Sequence, residues 1–232
     1  IFKKMKIAII PARKGSQRLK DKNFKTLYRN PLIFYSIKFA LINDFDKIIV
    51  STDDNRIKEY CQNFNILVHN RSKELSSDNS LIVDLLREII LDFDLIDSEL
   101  ICLLQPTSPL REKNLFVDSY EVFETKKFDS VISVNQTRKK IGSINNNFFK
   151  PNYDMGSRTQ DLNGNYEENG LIYLLKPSMI LKGKIFGDKI GFNLCDNIFG
   201  RIDIDDIYDF SLCEIILKKN IDKLEYLIYE KC

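Results

Sequence analysis

Residues 6–52 read KIAIIPARKGSQRLKDKNFKTLYRNPLIFYSIKFALINDFDKIIVST. Within them, residues 6–11 are apolar, rich in β-branched side chains and end at a proline, which predicts a short buried strand. Residues 31–43 begin with a proline and then repeat apolar residues at helical spacing, which predicts a helix. Residues 46–52 have the pattern of a second strand. Strand, helix and strand in this order are typical of a parallel sheet covered by helices.

The alternation continues along the rest of the chain. The predicted elements that follow are helices at residues 55–64, 78–93 (with Asp78 as the N-cap), 112–125, 206–219 and 221–230, and strands at residues 66–70, 99–105, 129–134 and 201–205. Residues 137–168 are polar and without a sustained period, and order returns at residues 171–176. We therefore expect one α/β domain over residues 1–232, with a mostly parallel sheet and an inserted subregion at about residues 137–195.

Composition limits the classes of function. The 232 residues are 44% hydrophobic and 29% charged, which is enough for the sizeable core of a globular protein. The net charge of +2 gives no global field that would attract nucleic acid. One histidine excludes a multi-histidine metal site, and five cysteines without a CxxC pair argue against a disulfide scaffold. No apolar run approaches the ~18–20 residues that span a bilayer. We expect a cytoplasmic protein with no membrane or nucleic-acid partner.

A basic loop follows the first predicted strand. It reads PARKGSQRLKDKN over residues 11–23 and holds five cations, which are Arg13, Lys14, Arg18, Lys20 and Lys22. Flexible backbone N–H groups together with cations can cradle a polyphosphate. The loop matches neither GxxxxGK[ST] nor GxGxxG. Taken alone, a solvated basic surface explains it equally well.

An acidic pair lies near the end of the chain, in the segment IDID at residues 202–205. On a strand, Asp203 and Asp205 would share one face while the isoleucines point into the core. Mg²⁺ prefers one or two carboxylates together with substrate phosphates. Taken alone, such a pair is more often a set of edge or cap carboxylates. Asp206 and Asp209 are expected to begin the next helix.

Other segments carry weaker signals. Residues 105–111 (QPTSPLR) contain two prolines, which fix Gln105 and Arg111 at the end of a strand. Residues 71–78 indicate by themselves only a polar connection. Asn169 and Gly170 could form a two-residue hairpin turn. The single histidine, His69, is expected to be structural rather than catalytic.

Together these segments resemble the CMP-sialic acid synthetases, and more broadly the cytidylyltransferases that activate nonulosonic acids. The resemblance is colinear over about residues 6–219, and its segments are IIPARKGSQRLKDKN, IIVSTDD, RSKELSSDNS, LLQPTSPLR, ENGLIYL and IDID. It implies a Rossmann-like nucleotidyltransferase domain in which the insertion serves for dimerisation. It also implies a reaction in surface-glycan biosynthesis, in which a nine-carbon 2-keto-3-deoxy sugar acid attacks the α-phosphorus of CTP and pyrophosphate leaves.

The resemblance also implies roles for individual residues. The expected nucleotide-binding residues are Ala12, Arg13, Ser16, Lys22, Asn23, Arg71 and Ser80; the expected sugar-binding residues are Gln105 and Asn169; the expected Mg²⁺ ligands are Asp203 and Asp205. Arg13, Lys22 and Asp205 are the expected catalytic residues. Lys14 stands where the family commonly has glycine, and Lys139 and Lys140 are equal candidates for a sugar-facing cation.

Several alternatives stay open at this level. The acid could be an N-acylneuraminate, or it could be legionaminate, pseudaminate or a Kdo-like acid. The chain could instead transfer a nucleotide to a sugar phosphate, or be a nucleotide-binding homologue without catalysis. The base that accepts the proton of the sugar hydroxyl, Asp205 or a water on the metal, is also open.

Overall fold

The computed structural model describes residues 5–228, and the last two residues of the helix expected at 221–230 lie outside that range. The strands are β1 (Lys6–Pro11), β2 (Thr26–Leu27), β3 (Asn30–Pro31), β4 (Lys47–Thr52), β5 (Leu67–Asn70), β6 (Leu100–Leu103), β7 (Ser130–Thr137), β8 (Gly142–Asn145), β9 (Phe148–Pro151), β10 (Asn165–Leu175) and β11 (Ile190–Leu194). The helices are α1 (Leu32–Ile42), α2 (Asn55–Gln62), α3 (Ile82–Asp92), α4 (Leu115–Lys126), α5 (Pro177–Leu181), α6 (Ile207–Lys219) and α7 (Ile221–Ile228).

Seven strands form one sheet in the order β11-β7-β10-β6-β1-β4-β5. Strand β1 pairs in parallel with β4 and β6, β4 pairs in parallel with β5, and β11 pairs in parallel with β7. Strand β10 alone runs antiparallel to both of its neighbours, β6 and β7. The mostly parallel α/β fold expected from the sequence is confirmed.

Helices cover both faces of this sheet because its central strands are apolar on both sides. In β1, Ile7 and Ile9 belong to one buried cluster, while Ala8 and Ile10 belong to the other. Helices α3 and α5 supply the first cluster, and α1, α2, α4, α6 and α7 supply the second. Each fully buried side chain of this kind contributes about 1.5–3 kcal/mol. The two cores hold the carboxyl ends of β1, β4 and β6 in one rigid edge.

The helix expected from residue 78 begins later than the sequence indicates. Helix α3 starts at Ile82 with Leu81 as its N-cap residue, and no side chain caps it. The expectation that Asp78 is the cap is wrong. Its carboxylate forms an ion pair with Arg13 at 2.7 Å, so a tertiary contact has replaced the local one.

The strand expected at residues 201–205 is also wrong. Residues 202–205 have no strand partner within the described chain and follow a 3₁₀ turn, Phe199–Arg201. Their backbone link to the neighbouring loop is the Ile204 amide, which donates to the Thr107 carbonyl at 2.9 Å. Ile202 and Ile204 are nevertheless buried, so the alternation reflects burial without a ladder of hydrogen bonds.

Helix α6 begins where the sequence predicts. Asp206 accepts hydrogen bonds from the Tyr208 and Asp209 amides, and the Asp209 carboxylate accepts from the Asp206 amide. This reciprocal capping box satisfies amides that the first turn of a helix leaves without partners. The predicted roles of both aspartates are confirmed.

The inserted subregion is shorter than the expected residues 137–195. Strands β10 and β11 lie within that range and pair with β7 in the main sheet. What leaves the sheet is residues 138–164, which contain the β8–β9 hairpin and a 3₁₀ turn. Asn169 and Gly170 lie inside β10 at a shift in its register, so the alternative of a hairpin turn there is wrong.

The cysteines and the apolar segments agree with the composition. The four cysteines within residues 5–228 are buried free thiols. Over the same residues, every helix is too short or too polar to span a lipid bilayer.

Candidate active site

The basic loop is anchored where it leaves β1. The Ala12 amide donates to the Ser51 carbonyl at 2.8 Å, and the Ala12 carbonyl accepts the Thr52 hydroxyl at 2.7 Å. Further along, the buried Asn23 side chain donates to the Arg13 carbonyl at 2.9 Å. These contacts fold the loop over the end of the sheet. Ala12 and Asn23 therefore stabilise the conformation of the loop.

The second wall of the site is the loop between β5 and α3. Arg13 reaches it through the Asp78 carboxylate at 2.7 Å and the Ser76 carbonyl at 3.1 Å. Within this loop, the guanidinium of Arg71 and the hydroxyl of Ser80 both donate to the Leu75 carbonyl. Burial lowers the pKa of Arg71. Neither Arg71 nor Ser80 lines a described cavity, and their nucleotide-binding roles stay predictions.

A cavity of about 390 Å³ opens between the basic loop, Asp78 and the acidic segment. Its lining residues are Arg13, Ser16, Gln17, Arg18, Leu19, Lys22, Asp78 and Asp205. Four of the predicted residues, Arg13, Ser16, Lys22 and Asp205, therefore meet in one place. Both cations and carboxylates line this cavity, which suits a ligand that carries phosphates together with a metal cation.

Lys22 is held at the floor of this cavity. Its Nζ donates to the Ile204 carbonyl at 2.6 Å and lies 3.8 Å from an Asp205 carboxylate oxygen. Burial lowers the pKa of Lys22, while Asp205 and Asp203 oppose that shift. Arg18 forms an ion pair with the same Asp205 carboxylate at 2.9 Å. The Asp205 carboxylate thus interacts with two cations of the basic loop, Arg18 and Lys22.

Asp203 is the more exposed member of the acidic pair, and Asp205 is partly buried. Desolvation raises the pKa of the Asp203 carboxyl, and the nearby Asp205 charge raises it further, against a hydrogen bond with Thr107 and the charge of Lys22. A carboxyl group whose pKa is raised by desolvation and by a neighbouring carboxylate is a place where added positive charge is favourable. The two carboxylates fit the oxygen donor set that Mg²⁺ prefers.

A larger cavity of about 560 Å³ lies on the other side of Asp203. Its lining residues are Gln105, Asn135, Gln136, Thr137, Arg138, Lys139, Thr159, Glu167, Glu168, Asn169, Gly170, Tyr173, Gly200, Arg201 and Asp203. Both predicted sugar-binding residues, Gln105 and Asn169, are among them. Of the two candidate lysines, Lys139 lines the cavity, where it pairs with Glu167 at 3.4 Å. Lys140 is not among the lining residues.

Asn169 is fixed by neighbours in the sheet. Its side-chain amide donates to the Asn135 side-chain oxygen at 2.8 Å, and its own side-chain oxygen accepts from Ser133. Gly170, with φ of +70°, lies so close to Ser108 that an added Cβ would be 2.7 Å from its hydroxyl oxygen. Only glycine fits this backbone conformation and this approach. Asn169 and Gly170 therefore pack β10 closely against the loop that carries Gln105.

Arg111 does not reach either cavity. It is fully buried, and its guanidinium donates to the Leu171 carbonyl at 2.6 Å, the Gln105 carbonyl at 2.8 Å and the Ser36 hydroxyl at 3.0 Å. Burial lowers its pKa to about 10. The sequence placed Arg111 correctly in a rigid turn, but its role there is to tie together the pieces of backbone around Gln105.

Two cations of the larger cavity were missed in the sequence. Arg138 and Arg201 line it, and neither side chain forms a hydrogen bond or an ion pair with any residue from 5 to 228. Arg201 directly precedes the acidic segment, and Arg138 directly follows β7. Their position next to recognised elements was the available signal. Both are exposed and ready for an anionic ligand.

The two cavities meet at the acidic segment. Asp203 lines the larger cavity and Asp205 lines the smaller, basic one. The arrangement can therefore hold two ligands at once, one rich in phosphate and the other polar and anionic, with two carboxylates between them.

Comparison with known proteins agrees with this geometry. A family model described as cytidylyltransferase matches residues 7–223. The chain is 35% identical over 189 residues to the N-acylneuraminate cytidylyltransferase of Streptococcus agalactiae serotype III (strain NEM316), which covers 78% of this chain and 45% of the relative. It is 31% identical over 229 residues to the CMP-N,N'-diacetyllegionaminic acid synthase of Legionella pneumophila, which covers 94% of this chain and 98% of the relative.

The chain spans about half the length of the streptococcal relative and of the Escherichia coli O18:K1:H7 N-acylneuraminate cytidylyltransferase, to which it is 30% identical over 94% of its residues. Among solved structures, it is similar to a CMP:2-keto-3-deoxy-manno-octonic acid synthetase complexed with CTP. The TM-score is 0.70 at 14% identity, with 93% of this chain and 99% of that chain covered. At this identity the structural match shows the fold.

Proposed function

The chain belongs to the cytidylyltransferase family, and from that premise we propose that it transfers CMP from CTP to a sialic-type nonulosonic acid, with release of pyrophosphate. The observation that carries the proposal is the meeting of a basic cavity and a larger polar cavity at Asp203 and Asp205. The transfer needs the α-phosphate of one substrate and the hydroxyl of the other at one point. The acidic segment is the place where ligands of the two cavities come together.

The basic cavity is proposed to bind the triphosphate. Arg13 and Arg18 are paired with Asp78 and Asp205, and a triphosphate carries more negative charge than either carboxylate. Lys22 stays fixed by the Ile204 carbonyl and directs its charge at the same space. Transfer of a phosphoryl-type group depends mainly on such positioning and on neutralisation of charge.

We propose that Asp203 and Asp205 hold Mg²⁺ together with the nucleotide. The fit rests on the oxygen donors, two carboxylates that are two residues apart where the cavities meet. The raised pKa of Asp203, which desolvation and the charge of Asp205 cause, agrees with it. When bound, Mg²⁺ would neutralise charge on the phosphates and on the departing pyrophosphate. The chain's own contribution is to hold both carboxylates on a segment that the buried Ile202 and Ile204 anchor.

The larger cavity is proposed to bind the sugar acid. Gln105 and Asn169 offer amide groups to its hydroxyl and acyl substituents, and Arg138 and Arg201 offer two free cations to its carboxylate. The relatives named above act on N-acylneuraminate or a legionaminic acid. For this chain the proposal extends to the nonulosonic acids as a class.

We further propose a homodimer built on residues 138–164. The β8–β9 hairpin carries large apolar side chains that are exposed within the described chain, namely Ile144 at 79%, Phe148 at 78% and Phe149 at 55%. A second copy of the chain would bury them. Dependence on CTP and the free thiols favour the cytoplasm, where the product would serve surface-glycan synthesis.

Turnover of the 232-residue chain with Mg²⁺ tests the proposal. We expect pyrophosphate release with CTP and N-acetylneuraminic or a legionaminic acid, and little release with UTP or GTP. Sedimentation in the same buffer tests the dimer. Comparable release with UTP, or release with a hexose 1-phosphate in place of the acid, would overturn the assignment of substrates.

A further inference from the structure

His69 lies outside both cavities, in the edge strand β5. Its side chain is only 3% exposed, although one ring nitrogen faces charged groups. The other nitrogen, Nδ1, lies 3.0 Å from the Ser51 hydroxyl on the neighbouring strand β4. The Phe93 ring packs in a T-shaped arrangement with the imidazole, with the ring centroids 6.3 Å apart. These contacts hold the imidazole ring in place. Its Nε2 atom faces the carboxylates of helix α3.

Two carboxylates of helix α3 converge on that nitrogen. Nε2 lies 3.1 Å from a Glu88 oxygen and 3.4 Å from an Asp92 oxygen. These residues are four apart in sequence and so project from the same face of the helix. The three donor atoms all lie within 4.8 Å of one another. Arg71 is the nearby cation that feels the charge of Glu88, but its guanidinium is occupied by the Leu75 carbonyl.

A neutral imidazole satisfies only part of this arrangement. Its Nδ1 atom can accept from the Ser51 hydroxyl, but its single Nε2–H group is then shared by two carboxylates, which repel each other. A divalent metal ion would satisfy all three donors at once. Metal–ligand bonds of about 2.0–2.2 Å place adjacent ligand atoms roughly 3.0–3.6 Å apart in tetrahedral or octahedral geometry. Both distances measured from Nε2 lie in that range.

We propose that His69, Glu88 and Asp92 form a binding site for a divalent transition-metal ion such as Zn²⁺, with the Ser51 hydroxyl orienting the imidazole. One imidazole with two carboxylates is a donor set that first-row metals accept, and a hydrogen bond to the second ring nitrogen is the usual support of a histidine ligand. Water would complete the coordination, since Asp92 is 56% exposed.

The proposed ion would join the two ends of the loop between β5 and α3. His69 lies just before this loop and Glu88 in the helix after it. The same loop supplies Asp78 and the Ser76 carbonyl to Arg13. Metal binding would therefore stiffen one wall of the basic cavity from behind, without contact with the nucleotide.

The test is metal titration of the full chain without nucleotide, after treatment with a chelator. Asp205→Asn serves as the background, so that the acidic pair does not compete for the ion. We expect one Zn²⁺ or Co²⁺ per chain at micromolar concentration and a higher melting temperature. Because the chain has one histidine, Co²⁺ should broaden the NMR signal of that imidazole. His69→Gln and Glu88→Gln should each weaken binding at least tenfold, and Ser51→Ala on the order of tenfold.

Asp84→Asn is the matched control, because this carboxylate lies on the same helix but pairs with Arg87. It should bind the metal like the parent chain. Equal binding by the parent and by Glu88→Gln, or no binding by either, would overturn the proposal. A melting temperature that Zn²⁺ leaves unchanged would also overturn it. Glu88 is partly exposed, so Glu88→Gln keeps the test valid even if His69→Gln does not fold.

Discussion

The loop at residues 12–25 and the loop at residues 105–111 both follow a central strand and both carry arginine, yet they use it in opposite ways. Arg13 is partly exposed and pairs with a carboxylate at the edge of a cavity. Arg111 is fully buried and donates to two backbone carbonyls and a hydroxyl. An arginine paired with a carboxylate can exchange it for phosphate. An arginine bonded to backbone carbonyls instead fixes the shape of the surface around the ligand.

The largest effect is expected where the two cavities meet. Asp205→Asn keeps the size of the side chain but removes its charge, so we expect turnover to fall by about two orders of magnitude or more. Turnover measured against Mg²⁺ concentration checks this. Asp206→Asn is the control, because Asp206 caps α6, and it should retain most of the activity. Loss of activity in Asp206→Asn alone would contradict the assignment of the site.

Arg111→Met tests the structural side of the comparison. The change preserves much of the volume but leaves the Leu171 and Gln105 carbonyls without a donor. We expect the free energy of unfolding to fall by about 2 kcal/mol, together with a rise in KM for the sugar acid that exceeds any rise in KM for CTP. Urea unfolding and steady-state kinetics measure the two. An unchanged midpoint would show that these bonds do not stabilise the fold.

Arg13→Ala tests the other arginine, whose carboxylate partner can be exchanged for phosphate. Loss of a charge-assisted contact to phosphate, worth roughly 1.5–3 kcal/mol, should raise KM for CTP on the order of tenfold. Lys14→Ala should change it much less, because Lys14 contacts Asp53 through its backbone amide, which the substitution keeps. Equal small effects of the two variants would mean that the loop is a solvated surface.

The smallest effect concerns the pH dependence of stability. The folded state raises the pKa of Asp203, mainly because of desolvation, so the ionised carboxylate costs stability above that pKa. In a chelator, Asp203→Asn should raise the melting temperature slightly at pH 7. The gain should disappear as the pH falls through the folded pKa to the ordinary aspartate value. A gain that persisted at low pH would point to a cause other than ionisation.

Prediction from the sequence was most accurate for the elements in which consecutive residues are all buried. Strand β1 lies at Lys6–Pro11 as expected, because its side chains are buried on both faces. The start of α3 was wrong because Asp78, a good capping residue, makes a stronger contact with Arg13. The acidic segment was mistaken for a strand because two buried isoleucines produce alternation whether or not a neighbouring strand pairs with them.

The residues of the candidate site also divide into those that the sequence revealed and those that it did not. Arg13, Lys22, Gln105 and Asn169 were found because they lie in the segments that carry the family resemblance, and the structure places all four at the cavities. Arg138 and Arg201 were not found, because neither lies in one of those segments and only the folded chain brings both to one cavity. The cluster around His69 was also not visible, since β5 and α3 meet only in the folded chain.

The reversed direction of β10 sets where this architecture can change. Because β10 runs antiparallel to β7, Thr137 and Asn165 are paired neighbours at the edge of the sheet where the cavities open. Residues 138–164 thus leave and rejoin the sheet at adjacent points beside the larger cavity. Such an excursion can be lengthened, shortened or exchanged during evolution without altering the register of any strand. The fold therefore allows the border of the larger cavity to vary while the strands that carry the basic loop stay as they are.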